Sequence, residues 1–283
     1  MELITLNPHG YCSGVAKAIS LIEKVKLEHP NKDIYLLGLP LHNEEVVASL
    51  SSTNCFLIDE KKIDLKEAIS KIPERSILIF SAHGHPAIYE EIAKQRKLKT
   101  VDCTCEFVEE NLKYAKSIKG DVIYIGKGNH IEATSFLANF NCPFFDVNSF
   151  SFKEEVNLTS PTLIYQTTLT LNEVYKSFEL IKQKYPDAKI GQERCLATKM
   201  RQQSILNLDS SIDIVLILGS TLSSNSKALL DLAKSKGFES YLCLNLEEVK
   251  KLNLEGNKKI ALTSGASTSK KTFDEVKEYL LSK

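Results

Sequence analysis

Three of the seven cysteines are spaced almost evenly along the 283-residue chain. Cys12, Cys105 and Cys195 are separated by 93 and 90 residues, and 88 residues follow the last of them. Each comes where a strand-like run ends and a helix-like run begins. One thiolate from each third of the chain predicts three lobes around a common centre. Three protein thiolates suit an iron–sulfur cluster with one iron left open to substrate.

The same spacing leaves an ordinary interpretation open. A free cysteine is most often a small buried hydrophobe, and Cys55 and Cys243 lie in apolar runs that fit this description. The odd cysteine count and the absence of a secretory leader argue against disulfides. Cys103 and Cys105 lack the spacing of a zinc ligand pair. Spacing alone is therefore compatible with a cluster without requiring one.

Apolar runs without polar alternation alternate with amphipathic segments along the whole chain. The runs predict strands at 34–37, 77–80, 122–125, 163–165 and 214–218. The amphipathic segments predict helices at 15–27, 90–96, 171–184 and 226–236. Continuous apolar strands are typical of parallel sheets covered on both faces, and the alternation predicts right-handed α/β units. We expect several small, largely parallel sheets in three α/β lobes at 1–104, 105–194 and 195–283, with the N-terminal strand able to join the last lobe.

Polar residues concentrate where the predicted strands end. Hydroxyl, amide and imidazole groups fill the segments 81–84, 126–132, 166–168, 219–226 and 263–267. Open α/β folds bind ligands at the carboxyl ends of parallel strands, although Ser, Thr and Asn also cap helices there. Five such loops exceed what capping needs and predict an anion site for phosphate or diphosphate. The sequence has neither a Walker A loop nor a strand followed by G-x-G-x-x-G.

Composition excludes several classes of partner. The chain is 43% apolar and 25% charged, and its 36 basic residues balance 36 acidic ones. Without a basic surplus, nothing in the charge predicts nucleic-acid binding or attachment to a membrane surface. No run approaches the ~20 apolar residues of a membrane span. We expect a soluble, compact, cytoplasmic protein with no nucleic-acid or membrane partner.

The motifs around these residues resemble those of the 4-hydroxy-3-methylbut-2-enyl diphosphate reductase family over nearly the whole chain. They are NPHGYCSGV at 7–15, LHN at 41–43, FSAHG at 80–84, DCTC at 102–105, QTTL at 166–169, CLAT at 195–198, RQ at 201–202, SSNS at 223–226 and GAS at 265–267. The resemblance implies a trefoil of three α/β lobes around an iron–sulfur cluster. It also implies reductive removal of the substrate's allylic hydroxyl to give isopentenyl and dimethylallyl diphosphate, the final step of the methylerythritol phosphate pathway.

The resemblance assigns roles by position. It implies one [4Fe–4S] cluster per chain, held by Cys12, Cys105 and Cys195, with the fourth iron open to the substrate's hydroxyl oxygen. The residues that would hold the diphosphate are His42, His83, His130, Ser223, Ser224, Asn225 and Ser267. Glu132 would supply a proton, with Thr167 orienting the hydroxyl or relaying that proton, His130 close by and Gln166 supporting the network. Thr167 and Gln166 would also contact the substrate. A ferredoxin or flavodoxin would donate electrons.

The residue types suit these implied roles. A partly desolvated carboxylic acid with a raised pKa is a suitable proton donor. Imidazoles and hydroxyls bind a diphosphate without the permanent charge of Lys or Arg. His9, His29 and His85 lack supporting motifs, and we expect them to be structural.

Four positions depart from the family pattern. Glu106, Ile131 and Ser269 stand where Pro is usual, and Met200 stands where Asn is common. None of them removes a group assigned to the chemistry. They leave open a paralogue that acts on another phosphorylated allylic compound, and a non-catalytic iron–sulfur redox sensor. Substrate turnover by the reconstituted protein would separate these alternatives.

Overall fold

A computed structural model describes residues 1–38, 43, 48, 54–59, 63–154, 156–192, 195–254, 256 and 258–283. The strands are β1 Glu2–Thr5, β2 Ile34–Leu37, β3 Cys55–Ile58, β4 Ile77–Phe80, β5 Lys99–Asp102, β6 Val122–Gly126, β7 Phe144–Asp146, β8 Ser151–Phe152, β9 Thr162–Tyr165, β10 Lys189–Ile190, β11 Ile214–Leu218, β12 Glu239–Cys243 and β13 Lys259–Ser264. The helices are α1 Ser13–Glu28, α2 Leu65–Lys71, α3 Ile88–Gln95, α4 Glu106–Ser117, α5 Ile131–Asn139, α6 Leu171–Lys184, α7 Leu196–Leu206, α8 Ser224–Ser235, α9 Leu246–Val249 and α10 Lys270–Leu281.

The chain forms two compact units, of which the first comprises residues 1–15, 42–46 and 195–283. It contains one parallel sheet of order β1-β13-β11-β12, in which Thr5 lies opposite Leu262. Every residue of β11 is buried, because its two faces serve two cores. Leu216 packs with Phe273 of α10, and Ile217 packs with Leu229 of α8. Each such side chain contributes roughly 1.5–3 kcal/mol on burial.

The second unit comprises residues 16–41 and 47–194 and contains two sheets. One is parallel, with the order β3-β2-β4-β5. The other has the order β10-β9-β6-β7-β8 and is parallel except where β8 pairs antiparallel with β7. As in the first unit, the central strands β4 and β6 are completely buried.

The predicted α/β class with largely parallel sheets is confirmed, and the described strands form three small sheets. The predicted ranges 34–37, 77–80, 214–218 and 171–184 coincide with β2, β4, β11 and α6. The three-lobe boundaries stay a prediction. Among the described helices, none is both long and apolar enough to cross a lipid bilayer. The predicted polar loops follow the carboxyl ends of strands. Because the strands within each sheet are mostly parallel, these ends lie at one edge of the sheet, where side chains from neighbouring loops meet.

Candidate active site

Glu132 has the most unusual environment among the described acidic residues. It lies in the first turn of α5, after β6, and only 2% of it is exposed. The backbone N–H of Thr167 donates to Oε1 at 2.8 Å, and the Thr167 hydroxyl donates to Oε2 at 2.7 Å. Burial raises the pKa of Glu132 from 4.5 to about 7, and the hydrogen bonds from Thr167 oppose that rise. The sequence-predicted pair Glu132 and Thr167 is therefore in direct contact.

Two histidines flank this carboxyl group. His130 caps α5, and its Nδ1 accepts a hydrogen bond from the Glu132 backbone N–H at 3.2 Å. The neutral ring therefore carries its proton on Nε2. The ring of His83, which follows β4, meets the ring of His130 edge-on with centroids 5.9 Å apart. The predicted residues from the loops after β4, β6 and β9 thus come together in one unit.

Gln166 is fully buried and supports the loops around Glu132. Its Oε1 accepts from the Lys127 backbone N–H at 3.0 Å, and its Nε2 donates to the Thr168 hydroxyl at 2.6 Å. The first bond joins the loop after β6 to the loop after β9, and the second lies within the loop after β9. This geometry suits the predicted supporting role, and direct contact of Gln166 with substrate stays a prediction.

Tyr124 is a further neighbour of Glu132 that sequence reasoning missed. Its side chain is fully buried in β6, and its hydroxyl makes no close hydrogen bond among the described residues. It is nevertheless near enough to Glu132 to lower the pKa of that carboxyl group. Only the fold brings these two residues together, so no motif predicted the pair.

The three predicted cluster ligands share a position at helix N-termini. Cys12 precedes α1 and accepts from the Val15 backbone N–H at 3.5 Å, while Cys105 and Cys195 are the N-cap residues of α4 and α7. All three are half-buried, and none of them is in a disulfide. A helix N-terminus favours the thiolate form that binds iron. Cys12 and Cys195 belong to the first unit and Cys105 to the second.

The other cysteines have environments that favour the neutral thiol. Cys103 is completely buried, and burial raises its pKa to about 12. Burial raises the pKa of Cys142 and of Cys243 to about 11, and it also raises the pKa of Cys55. A metal ligand must lose its proton. Burial therefore disfavours these four cysteines as metal ligands, and the ligand set Cys12, Cys105 and Cys195 stays a prediction.

Arg201 is the second residue whose role sequence reasoning missed, although its motif was part of the resemblance. Only 1% of it is exposed, and it donates from Nη2 to the Gly10 carbonyl at 2.7 Å and from Nη1 to the Ala197 carbonyl at 3.0 Å. Burial lowers its pKa, and negative charge on Cys12 and Cys195 opposes this change. Nε is buried and has no hydrogen-bond partner among the described residues. A buried cation with an unused donor beside two thiols fits an anionic cluster.

The loop after β11 supplies the predicted hydroxyl and amide donors of the first unit. Ser223 caps α8 by accepting from the Ser226 backbone N–H at 3.2 Å. Asn225 is buried, and neither Nδ2 nor Oδ1 has a hydrogen-bond partner among the described residues. Buried polar atoms without partners are costly and rare. They are expected where a polar ligand or water completes the bonding.

The loop after β13 contacts the other polar loops of the first unit. The Ser267 carbonyl accepts from Asn43 Nδ2 at 3.0 Å, and the Ala266 carbonyl accepts from the Cys12 backbone N–H at 3.1 Å. A Cβ atom on Gly265 would lie 2.1 Å from Ser226 Oγ, so this close approach requires glycine. Ser224 is half-buried in the first turn of α8. His42, also predicted to bind diphosphate, lies outside the described residues.

Three of the departures from the family pattern are at helix starts. Glu106 and Ile131 are the first residues of α4 and α5, a position that proline favours. Ser269 caps α10 and accepts from the Thr272 backbone N–H at 2.9 Å. The fourth, Met200, is exposed on α7. None of these replacements occupies a position that the contacts above use.

Comparison with known proteins finds similarity over nearly the whole chain. A family model described as LytB protein matches residues 3–281. The chain belongs to the LytB family. The 4-hydroxy-3-methylbut-2-enyl diphosphate reductase of Wigglesworthia glossinidia brevipalpis is 33% identical in an alignment of 291 positions, gaps included, that covers 99% of this chain and 90% of that protein. The protein of the same name from Bacillus pumilus (strain SAFR-032) is 32% identical in an alignment of 288 positions with the same coverage of 99% and 90%.

Solved structures agree with this LytB assignment. The E-1-hydroxy-2-methyl-but-2-enyl-4-diphosphate reductase of Plasmodium falciparum superposes with a TM-score of 0.85 at 29% identity. The match covers 99% of this chain and 87% of that one. A second reductase structure, the terminal enzyme of the non-mevalonate pathway, matches with a TM-score of 0.68 at 23% identity, which shows the shared fold alone.

Proposed function

We infer that this LytB-family chain is an enzyme that reductively dehydroxylates 4-hydroxy-3-methylbut-2-enyl diphosphate to isopentenyl and dimethylallyl diphosphate. Full-length relatives carry that enzyme's name. The observation that carries the chemistry is the buried Glu132, whose pKa of about 7 leaves much of it protonated near neutral pH. A general acid is most effective when its pKa lies near the working pH.

The proposed reaction breaks the allylic C–O bond with two electrons and two protons. Glu132 gives one proton to the departing hydroxyl, which leaves as water, and the second proton ends on the allylic carbon skeleton. Thr167 holds both carboxyl oxygens of Glu132 and so keeps the acid in one orientation. His130 fixes the start of the helix that carries this acid. Burial around the pair keeps bulk water away from the proton.

We propose that Cys12, Cys105 and Cys195 hold one [4Fe–4S] cluster with one iron open to substrate. In the same proposal, lobes at 1–104, 105–194 and 195–283 form a trefoil around the cluster. When bound, the cluster supplies the electrons that no side chain provides. Thiolates at helix N-termini and the unused donor of Arg201 support this ligand set.

We propose that neutral donors hold the diphosphate. The residues are His42, His83, His130, Ser223, Ser224, Asn225 and Ser267, and Gln166 and Thr167 contact the rest of the substrate. The buried amide of Asn225, with no partner among the described residues, supports this role most directly. Hydroxyls and helix N-termini bind phosphate through N–H and O–H donation.

The proposal also includes the electron donor and the location of the protein in the cell. A ferredoxin or flavodoxin would deliver the electrons, because the chemistry needs a reductant of low potential. We also place the protein in the cytoplasm, where reducing conditions keep thiols free.

The decisive experiment is anaerobic reconstitution followed by an assay with 4-hydroxy-3-methylbut-2-enyl diphosphate and a chemical reductant. The wild-type protein should form five-carbon diphosphates. Glu132→Gln should keep the cluster and bind the diphosphate, yet lose about 10²- to 10⁴-fold in kcat, since it lacks the proton. Exposed Glu179, substituted by Gln, is the matched control and should turn over normally.

Each failure has a separate meaning. A full cluster without turnover in the wild type would contradict the reductase assignment and favour the paralogue or the sensor. Near-normal turnover by Glu132→Gln would contradict the role of Glu132 alone.

A further inference from the structure

We propose that Arg201 raises the reduction potential of the bound cluster, because its positive charge offsets the negative charge of the cluster and its hydrogen bonds position the loop that carries Cys12. Arg201 is in α7 and lies, with Cys12 and Cys195, in the first unit. The inference rests on the proposed function, since it needs a cluster held by these cysteines. It adds a positioning residue that is not itself an iron ligand.

The Arg201 side chain carries a buried charge that no described carboxylate balances. Only 1% of the residue is exposed, so water contributes little to its solvation. Among the described residues no Asp or Glu pairs with it, and the charged groups that act on it are Cys12 and Cys195. Burying a charge is costly unless an opposite charge accompanies it. The balancing negative charge is therefore expected at these two sulfur atoms.

Arg201 also fixes the loop that leads to Cys12. Gly10 in this loop has a φ of +73°, which glycine adopts without strain. Its N–H donates to Ser264 Oγ at 2.8 Å, and its carbonyl accepts from Arg201 Nη2 at 2.7 Å. Two residues later, the Cys12 N–H donates to the Ala266 carbonyl at 3.1 Å. Loss of Arg201 is therefore expected to loosen one of the three bonds that place this cysteine.

A purely structural role accounts for Nη1 and Nη2 of Arg201 but not for Nε. The first two donate to the carbonyls of Ala197 and Gly10, whereas Nε is buried and has no hydrogen-bond partner among the described residues. A buried donor without a partner is costly. Net charge and N–H donation to sulfur are two of the factors that set the potential of an iron–sulfur cluster. Both favour the more negative, reduced state, and so both raise the potential.

Arg96 in the second unit provides a matched control. Its Nη2 donates to the Ile72 carbonyl at 3.0 Å, and its Nε likewise has no partner among the described residues. Arg96 is half-buried and follows α3, shortly before β5 begins. It therefore lies at the opposite edge of its sheet from the polar loops. Loss of this arginine should remove similar contacts without affecting the cluster.

The test compares the anaerobically reconstituted wild type with three variants by redox titration followed with EPR spectroscopy. Arg201→Met keeps the apolar stem but loses the charge and every donor. It should shift the cluster at least about tenfold towards the oxidised form at a given potential, which is about 59 mV for a one-electron couple. Arg201→Lys keeps the charge and should lower the potential less than half as far. Arg96→Met should match the wild type.

Melting temperature with and without the cluster separates this electrostatic role from general stabilisation. Cluster loading should raise the melting temperature less in Arg201→Met than in the wild type, because the attraction between cation and cluster is lost. Arg96→Met should show the full rise on loading, whatever its effect on the cluster-free protein. A merely structural role for Arg201 would lower both forms equally.

The outcomes distinguish this proposal from the proposed function. An unchanged potential in Arg201→Met, or an equal fall in Arg96→Met, would overturn the proposal and leave the reductase assignment intact. An equal fall in potential, or an equal loss of iron, in Arg201→Lys and Arg201→Met would overturn the role of the charge. Loss of iron from Arg201→Met alone would support it, because lysine then restores the site. A wild type that forms no iron–sulfur cluster would overturn both proposals.

Discussion

Glu132 shows how one buried acid links activity to stability. Folding raises its pKa from 4.5 to about 7, mainly through burial. Below pH 4.5 the carboxyl group is protonated in the folded and the unfolded chain alike, so it costs nothing. As pH rises towards 7, the unfolded chain ionises first, and the folded state loses relative stability. Above pH 7 the full penalty, about 3 kcal/mol, is present.

We therefore predict that Glu132→Gln, which cannot ionise, gains stability relative to the wild type as pH rises. The difference in free energy of unfolding should grow by about 3 kcal/mol between about pH 4 and pH 8. Chemical denaturation of the cluster-free proteins at several pH values measures it. The exposed control Glu179→Gln should follow the wild type throughout. A difference independent of pH would show that the pKa of Glu132 is not raised.

The neighbouring pair Cys103 and Cys105 allows a matched test of the cluster ligands. We predict that Cys105→Ala lowers the iron bound after anaerobic reconstitution, because it removes a half-buried thiol at the N-terminus of α4. Cys103→Ala should retain iron, since burial holds that thiol neutral with a pKa of about 12. Alanine avoids placing a hydroxyl in the buried site. The measurement is the iron content per chain after reconstitution. If Cys103→Ala lost iron and Cys105→Ala retained it, the ligand would be Cys103.

The residue types of the site could be predicted from sequence, but their bonding could not. The motifs identified Glu132 and Thr167 as partners, and the structure places them in contact. Nothing local revealed Tyr124 as a neighbour of Glu132, because alternating strand positions give no information about which helix packs above them. Arg201 lies 191 residues from the Gly10 carbonyl it binds. A contact over so long a separation depends on the order of the strands in the sheet.

The first residues of α4 and α5, Glu106 and Ile131, are positions where proline should stabilise the folded chain. The preceding residues, Cys105 and His130, have ψ values of 135° and 133°, which a following proline requires. We predict that Glu106→Pro and Ile131→Pro each raise the free energy of unfolding by about 0.4–1 kcal/mol, because proline restricts the unfolded chain. Thermal or urea unfolding measures the change.

Interior positions of the same helices provide the contrast. The backbone N–H of Glu109 donates to the Cys105 carbonyl at 3.1 Å, and that of Thr134 donates to the His130 carbonyl at 3.0 Å. Glu109→Pro or Thr134→Pro removes such a bond and should cost about 3 kcal/mol or more. Destabilisation by Ile131→Pro of similar size would mean that α5 starts earlier than the structure shows.

Elements with a strong pattern were predictable, and short ones were not. The uninterrupted apolar runs of β2, β4 and β11 predicted those strands to the residue. The strands β7, β8 and β10 have two or three residues each, too few to show a pattern. Their pairing depends on neighbours already in place. The sequence analysis allowed the N-terminal strand to join the last lobe, and β1 does pair with β13 at the far end of the chain.

At the scale of the whole molecule, the balance of charge predicts how strongly kcat/KM depends on salt. The chain carries 36 basic and 36 acidic residues, and the proposed diphosphate donors are hydroxyls, an amide and imidazoles. A surface without net charge provides little long-range attraction for an anion. We therefore predict that kcat/KM changes by less than about tenfold when the Debye length falls from about 30 Å to about 3 Å between ~0.01 M and ~1 M salt.

A positive control can be built beside the loop after β11. Thr221 is exposed two residues before Ser223, and Thr221→Lys adds a permanent positive charge there. That variant should show faster association at low salt and a steeper fall in kcat/KM as salt rises, because only charged side chains steer a ligand through long-range attraction. Steady-state rates across the salt series, with the wild type measured in parallel, decide the point. A tenfold or greater fall in the wild type itself would mean that charged residues, rather than the neutral donors, dominate capture of the diphosphate.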